Sequence, residues 1–266
     1  MQPKVSIIIP CYNSGAFIGD AIASVNSCAD RSIVEVIIID DGSTDNNTLK
    51  ILQEYKNNGL TVMHQENKGP AGARNLGISV ARGEYLLFLD SDNKIRSNYI
   101  SIALACFELD SQLGVVYGKP AFFGTVTDLR FSPGDFDINK ILMDNYIDMC
   151  TVVRKEMLDS IGLFDESKVI IGHEDWELWI RAASHGWKFH FVNETLFDYR
   201  VRNDSLITQV IHIDKINVMK QYIYAKHWKT LMKSYSYLFE QDKSYKFDRA
   251  KPVRSFVKYM KLKFIK

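Results

Sequence analysis

Cysteine and proline are scarce in this chain of 266 residues, at four and six, and apolar stretches such as 7–9 and 86–89 are only strand-sized. The four cysteines, Cys11, Cys28, Cys106 and Cys150, are widely spaced with no CxxC pair, which excludes a disulfide-stapled scaffold and predicts reduced thiols. Fifteen glycines and six prolines exclude a collagen-like or low-complexity chain. No run is long enough to cross a bilayer. Lys4 is followed at once by a β-like run and a polar turn, so the start does not read as a signal peptide. Charge of one sign is also missing: 33 Lys+Arg against 32 Asp+Glu leave a formal +1. This balance argues against a nucleic-acid binder.

What is present is a 46% apolar sequence, long enough for one large domain or a domain with an appendage, and able to bury its own core. The neutrality is an average of two unlike parts. Residues 1–200 hold 18 basic and 27 acidic side chains, whereas residues 201–266 hold 15 and 5.

The first hundred residues alternate strand and helix signals. Residues 5–10, 34–39, 60–64 and 85–89 read as strands, continuous in apolar character. Residues 16–27, a segment capped by Thr44 or Asp45 with Leu49, Leu52 and Tyr55 on one face, and residues 70–82 read as helices. Such a pattern predicts an α/β fold with a mostly parallel sheet flanked by helices. Ligands then sit outside the carboxyl ends of the strands. Polar clusters fall at those ends: Tyr12-Asn13, Asp40-Asp41 and Asp90-Ser91-Asp92. Further on, 97–110 reads as a helix, 114–118 as a strand, 119–135 as a loop or hairpin and 149–153 as strand-like. Residues 174–184 form a helix, 187–191 and 196–200 short strands, and 214 to about 240 a helical extension.

Each cluster has two readings. Asp90-Ser91-Asp92 turns two carboxylates toward one point, as Mg²⁺ or Mn²⁺ bridging to phosphates requires, but Asp and Ser are also ordinary turn formers. Asp41 offers a carboxylate to a base or ribose, and the same stretch caps a helix. Small residues from Gly69 to Ala73 open a helix bearing Arg74, without a GxGxxG or Walker pattern, which argues against a dinucleotide or P-loop enzyme. Glu174 and Asp175 gain from the dipole of the helix they start, and the same field suits a base that accepts a hydroxyl proton. His173, His185, His190, His212 and His227 have no metal-like spacing.

In order, the segments VSIIIPCYN, IIIDDGSTD, NKGPAGARN, YLLFLDSDN, VVRKEMLDSIGLFDE, GHEDWELWIRAASHGW and FDYRVRNDS resemble the family 2 glycosyltransferases of the GT-A (Rossmann-like) fold, over residues 4 to 205. The resemblance implies a nucleotide-sugar donor, usually a UDP-sugar, and a hexosyl- or N-acetylhexosaminyltransferase. Pro10, Tyr12 and Asn13 line the nucleotide pocket. Asp41 pairs with the base beside Arg74, with Asn67 and Ser91 in the same pocket. Asp90 faces the ribose or a metal-bound water, Asp92 ligates Mn²⁺ or Mg²⁺, and Asp175 is the general base with Glu174 as its helper. An acceptor hydroxyl then attacks the opposite face of the anomeric carbon, with inversion. One departure stands out. Family members often carry a His where this chain has Arg202, which cannot ligate a cation but has a fork suited to phosphate. Either the metal has one protein ligand fewer, or Arg202 replaces part of its charge.

The resemblance assigns 1–212 to the transferase domain, with 1–96 the nucleotide-binding half and 97–212 the acceptor half. Residues 213–266 form a helical, basic extension. Its last sixteen residues hold six Lys+Arg and no acid, interleaved with aromatics, which suits an anionic membrane surface. The expected setting is the cytoplasm, at the inner face of the membrane, with a saccharide or lipid-linked glycan of surface polysaccharide synthesis as acceptor and no nucleic acid as partner. Competing readings are a metal-dependent phosphotransferase or nuclease built on DSD and ED, and a nucleotide-sugar-binding module without turnover.

Overall fold

The β-branched runs at the start of the chain become the centre of one eight-stranded sheet. A computed structural model describes residues 2–125, 131–202, 213–251 and 254. The strands are β1 (Val5–Cys11), β2 (Val34–Asp40), β3 (Thr61–His64), β4 (Tyr85–Phe88), β5 (Lys94–Ile95), β6 (Leu113–Gly124), β7 (Val152–Arg154) and β8 (Lys188–Val201), in the order β3-β2-β1-β4-β7-β6-β8-β5. The helices are α1 (Ile18–Asn26), α2 (Asn46–Asn57), α3 (Gly69–Val80), α4 (Tyr99–Leu109), α5 (Ile138–Ile141), α6 (Lys155–Ile161), α7 (Glu174–Ser184), α8 (Ile213–Lys226) and α9 (Trp228–Ala250).

β1 to β4 pair in parallel, as their unbroken apolar character predicts. Successive residues feed opposite faces: Ile7, Ile9, Ile38 and Leu87 enter the larger core with α1 and α4, while Ile37 and Ile39 meet Ala73 of α3. α3 lies directly on β1, because a Cβ at Gly77 would fall 2.4 Å from the Ile8 side chain. The α2 N-cap is Asp45, whose carboxylate accepts from the backbone N–H groups of Asn47 and Thr48.

Beyond β4 the sheet is mixed: β7 is antiparallel to both β4 and β6, and β8 is parallel to β6 and antiparallel to β5. Two expectations change here. β6 continues through part of the predicted loop to Gly124, and β8 is one strand of 14 residues instead of two short ones. The polar Asn193-Glu194 that reads as a break is a bulge, since Gly118 pairs with Val192 and Lys119 with Thr195. The predicted helical extension is likewise two helices, parted at His227.

Two compact units result, Met1–Ile223 and Tyr224–Lys266. In the first, Met219 and Ile223 of α8 are buried and the Tyr222 hydroxyl donates to Asp165. In the second, α9 exposes Trp228, Met232, Tyr235 and Phe239. Among the described residues no helix is long and apolar enough to cross a membrane. Apart from positions 251 and 254, the basic tail 251–266 lies outside the described residues, as does 203–205 at the end of the last quoted motif.

Candidate active site

The carboxyl ends of β1, β2 and β4 lie side by side, which gathers the polar clusters on one edge of the sheet. Asn13 adopts a left-handed φ of 50° at the end of β1. Its side-chain oxygen accepts from the N–H groups of Thr44 and Asp45, and its own N–H donates to Ser43 Oγ. The two loops are thereby one body. Pro10 is half-buried at the end of β1, and Tyr12, just beyond the strand, is 49% exposed.

Asp41 is buried and heavily engaged. Its Oδ1 accepts from Gln65 Nε2 at 2.6 Å and from Lys68 N at 2.9 Å, and its Oδ2 accepts from Gly69 N at 2.9 Å. These amides open α3, so the carboxylate satisfies donors that the helix leaves unpaired. A carboxylate offers about four acceptor sites, so one remains for a further donor. Gly42, at φ +74°, lets the loop pass against the backbone of Asn67, whose N would stand 2.8 Å from a Cβ. The Asn67 side chain itself is exposed.

Arg74, in the second turn of α3, reaches into the protein. Nη2 donates to Asp90 Oδ1 at 2.9 Å and Nη1 to Glu174 Oε1 at 2.6 Å, with the side chains of Arg74 and Glu174 only 6% and 5% exposed. Burial works against its charge, but Asp90, Glu174 and Asp175 outweigh it and hold the guanidinium above its ordinary range. Glu174 also accepts from Gly172 N. Arg74 thus ties the end of β4 to the start of α7.

Asp175 points elsewhere. Its Oδ1 accepts from Trp176 N and its Oδ2 from Asn145 Nδ2 at 3.0 Å. Burial, then Glu174 and Asp148, push its pKa up to about 8 despite Arg74. Asp148 is pushed up to about 7 by burial and by Asp90. The antiparallel register that pairs Leu87 with Val152, and in which Phe88 N donates to Thr151 O, brings Asp148 level with the Asp90-Ser91 turn. Two buried tryptophans fasten that segment to α7: Trp176 Nε1 donates to Ile141 O and Trp179 Nε1 to Ile147 O. Asp90, Asp92, Asp148 and Asp175 act together on the Tyr199 hydroxyl, whose pKa burial and these charges raise.

Ser91 is buried within the turn. Asp92 sits between arginines: its carbonyl accepts from Arg200 Nε at 2.9 Å and its Oδ2 from Arg202 Nη1 at 3.3 Å. Burial and Asp90 raise the Asp92 pKa, and Arg202 draws it back. Among the described residues no three His, Cys, Asp or Glu side chains form a ready cage for a metal ion. The mutually repelling oxygens of Asp90 and Asp92 instead fit a divalent cation shared with a ligand's phosphates.

Of the residues singled out in the sequence, Arg74, Asp90 and Glu174 form one bonded unit and Asp92 with Arg202 another, while Asn67 turns outward. Sequence reasoning missed Gln65, Asn145, Asp148 and Arg200. Gln65 stands directly after a predicted strand, a position that favours the ligand edge. Asn145 and Asp148 lie in a stretch without periodicity, where no signal distinguishes them.

The profile described as "Glycosyl transferase family 2" matches residues 6–162. The glycosyltransferase GlyG of Streptococcus pneumoniae is 28% identical over 228 residues, covering 78% of this chain and 74% of that protein. The putative teichuronic acid biosynthesis glycosyltransferase TuaG of Bacillus subtilis is 32% identical over 215 residues, covering 77% and 82%. Several relatives from Rickettsia are far longer, and the chain spans only 29–30% of their length. Among solved structures, S. aureus TarS 1-349 in complex with UDP-GlcNAc aligns with a TM-score of 0.65 at 22% identity, over 85% of this chain and 72% of that one. This likeness is one of fold, GT-A.

Proposed function

The chain belongs to glycosyl transferase family 2, and on that premise we propose that it is an inverting transferase that moves a sugar from a nucleotide-sugar donor, a UDP-sugar, to a hydroxyl of a glycan acceptor. The observation that carries the reading is the Arg74 bridge. It couples the turn that bears Asp90 and Asp92 to the helix that bears Asp175, so a donor-side group and a base are held in one frame. The base pairs with the remaining acceptor site of Asp41, while Pro10, Tyr12, Asn13, Asn67, Arg74 and Ser91 shape the nucleotide pocket. Asp90 and Asp92 would hold Mn²⁺ or Mg²⁺, which would neutralise charge on the departing diphosphate.

Asp175 has a pKa of about 8, near that wanted of a general base. It removes the proton of the acceptor hydroxyl as that oxygen bonds the anomeric carbon, and the bond from that carbon to the nucleoside diphosphate breaks on the opposite face. Glu174 raises the basicity of Asp175 through its charge and holds Arg74 in place. Residues 1–96 supply the nucleotide side and 97–212 the acceptor side. The teichuronic acid relative supports a surface polysaccharide as the product, and the basic tail supports an anionic membrane surface as the workplace. Thermal-shift measurements with UDP-, GDP- and dTDP-sugars, with and without Mn²⁺, test the reading. Stabilisation by one donor, followed by its turnover with a glycan acceptor, is the expected result. Failure of all three to bind overturns it.

A further inference from the structure

The turn after β4 carries Asp90 and Asp92 and closes on itself through a backbone bond from Asn93 N to Asp90 O at 3.0 Å. Its far side is fixed from β8. The antiparallel pairing of Lys94 with Asp198 and of Ile95 with Phe197 brings Arg200 alongside residues 92 and 93. Arg200 N donates to Asn93 Oδ1 at 2.8 Å, and the Asn93 side chain is itself buried. Arg200 Nε donates to Asp92 O at 2.9 Å, and Nη2 donates to Asp20 Oδ2 in the first turn of α1. The guanidinium carbon lies 4.4 Å from the centre of the Phe123 ring and 5.1 Å from that of Phe17, and the side chain is 15% exposed. One edge of a planar fork thus spans two acceptors while aromatic rings pack against it, an arrangement that the ammonium of a lysine does not reproduce. Arg200 joins α1, the turn and the end of β6 at a single head group.

We infer that Arg200 is a positioning residue of the donor site, which sets the Asp92 carboxylate by holding the Asp92 carbonyl and the Asn93 side chain and by anchoring both to Asp20. The inference rests on the transferase reading and adds to it a residue that acts through another. Asp90 and Asp92 repel each other, and a turn held only by its own backbone bond would relieve that repulsion by swinging Asp92 outward. Arg200 opposes the swing at the carbonyl. Its own charge is met by Asp20, so what it supplies is geometry: Asp92 is already in place when a diphosphate and its cation arrive. Groups that orient the ligands of a cation in this way contribute nearly as much to its binding as the ligands do.

Calorimetry on the full chain tests this, with UDP, GDP and dTDP titrated in Mn²⁺ and the matching nucleosides as probes of the base pocket alone. Arg200→Lys, which retains charge but not the fork, is expected to weaken the preferred nucleoside diphosphate by about 10–100-fold and to leave the nucleoside unchanged. Asp20→Asn removes only the outer anchor and has a smaller effect in the same direction; it carries the test if melting curves show Arg200→Lys to be unfolded. A double-mutant cycle separates positioning from a general loss of structure. In an Asp92→Ala background Arg200→Lys is expected to change affinity by less than about twofold, because the group it positions is gone. A loss of equal size in both backgrounds, or one shared by the nucleoside, overturns the inference, as does binding by both Arg200→Lys and Asp20→Asn at the parent's affinity. Each of these outcomes leaves the transferase reading intact. Failure of all three nucleoside diphosphates to bind the parent overturns that reading, and the inference with it.

Discussion

The acids at the end of β2 and those after β4, ahead of β7 and at the start of α7 have the same chemistry and opposite situations. Asp40 and Asp41 are buried but supplied with donors: Ser43 N and His64 for one, Gln65, Lys68 N and Gly69 N for the other. Asp92, Asp148 and Asp175 are half-buried among other acids, and desolvation together with like charge raises the pKa of all three. The first group belongs to the scaffold, which it stabilises by completing the start of α3. The second group strains the scaffold and gains when a proton, a cation or a substrate hydroxyl arrives. On the proposed function, the difference separates binding from chemistry: a rigid mould offered to the nucleotide, then a set of acids short of positive charge.

The largest effect that sharpens this contrast is on turnover. Asp175→Asn retains shape and hydrogen-bonding capacity but cannot take the acceptor proton. Its turnover is expected to fall by about 10²–10⁴-fold, the usual share of a general base, with donor affinity measured by calorimetry unchanged. A variant within tenfold of the parent erases the distinction between the two groups of acids.

Next comes a stability effect of opposite origin. Asp41→Ala removes the acceptor of two backbone N–H groups and of Gln65 at the start of α3. The expected cost is about 2 kcal/mol, a drop in melting temperature of roughly 4–8 °C. Thermal denaturation in the absence of nucleotide checks it. An unchanged melting temperature shows that Asp41 is no part of the scaffold.

A smaller effect tests how Asp175 is tuned. Its activity as a base requires the ionised form, so kcat/KM is expected to climb with pH and level off above about 8. Asn145 donates to Oδ2 and favours the ionised form. Asn145→Ala therefore raises the pKa and moves the rising limb by roughly one unit toward alkaline pH, as the loss of one hydrogen bond to a charged group predicts. A profile that stays in place removes Asn145 from any positioning role.

The same contrast governs what could be read from the sequence. β1, β2 and β4 carry strand signals because both of their faces are buried, and the sites at their ends follow from the geometry of parallel sheets. Asp41, Arg74, Asp90 and Asp92 therefore come to one edge as the motif order implies. The second half resists such reading. β8 is held together across Asn193-Glu194 by pairing with β6, a contact between residues about 75 positions apart in sequence that no local window contains. Asp148 and Asn145 reach the cleft because Trp176 and Trp179 hold their segment from α7. Periodicity says nothing about a carbonyl that a distant indole will bind. Conversely, the helix-start reading of Glu174 and the base reading of Asp175 are not rivals, since the dipole, Arg74 and the neighbouring acids act on both residues at once.

The smallest expected effect is the one that most directly opposes the two groups, because it has the reverse sign. The folded-state pKa of Asp148 is about 7, against an ordinary 3.8. Below about pH 4 the carboxyl is protonated in both the folded and the unfolded chain and costs nothing. As pH rises from about 4 to about 7, the unfolded chain ionises readily while burial and Asp90 resist ionisation in the fold, so stability is lost through that window and stays lost above it. Asp148→Asn, which imitates the neutral acid, is therefore expected to raise the melting temperature at pH 8 by roughly 2–4 °C and to leave it unchanged at pH 4. The measurement is made in EDTA, since a cation shared by the neighbouring acids offsets the same repulsion. Mn²⁺ with a nucleoside diphosphate then narrows the gap between parent and variant. If Asp148→Asn lowers the melting temperature at pH 8 as Asp41→Ala does, Asp148 belongs with the scaffold acids, and the division between mould and reactive set moves to Asp92 and Asp175 alone.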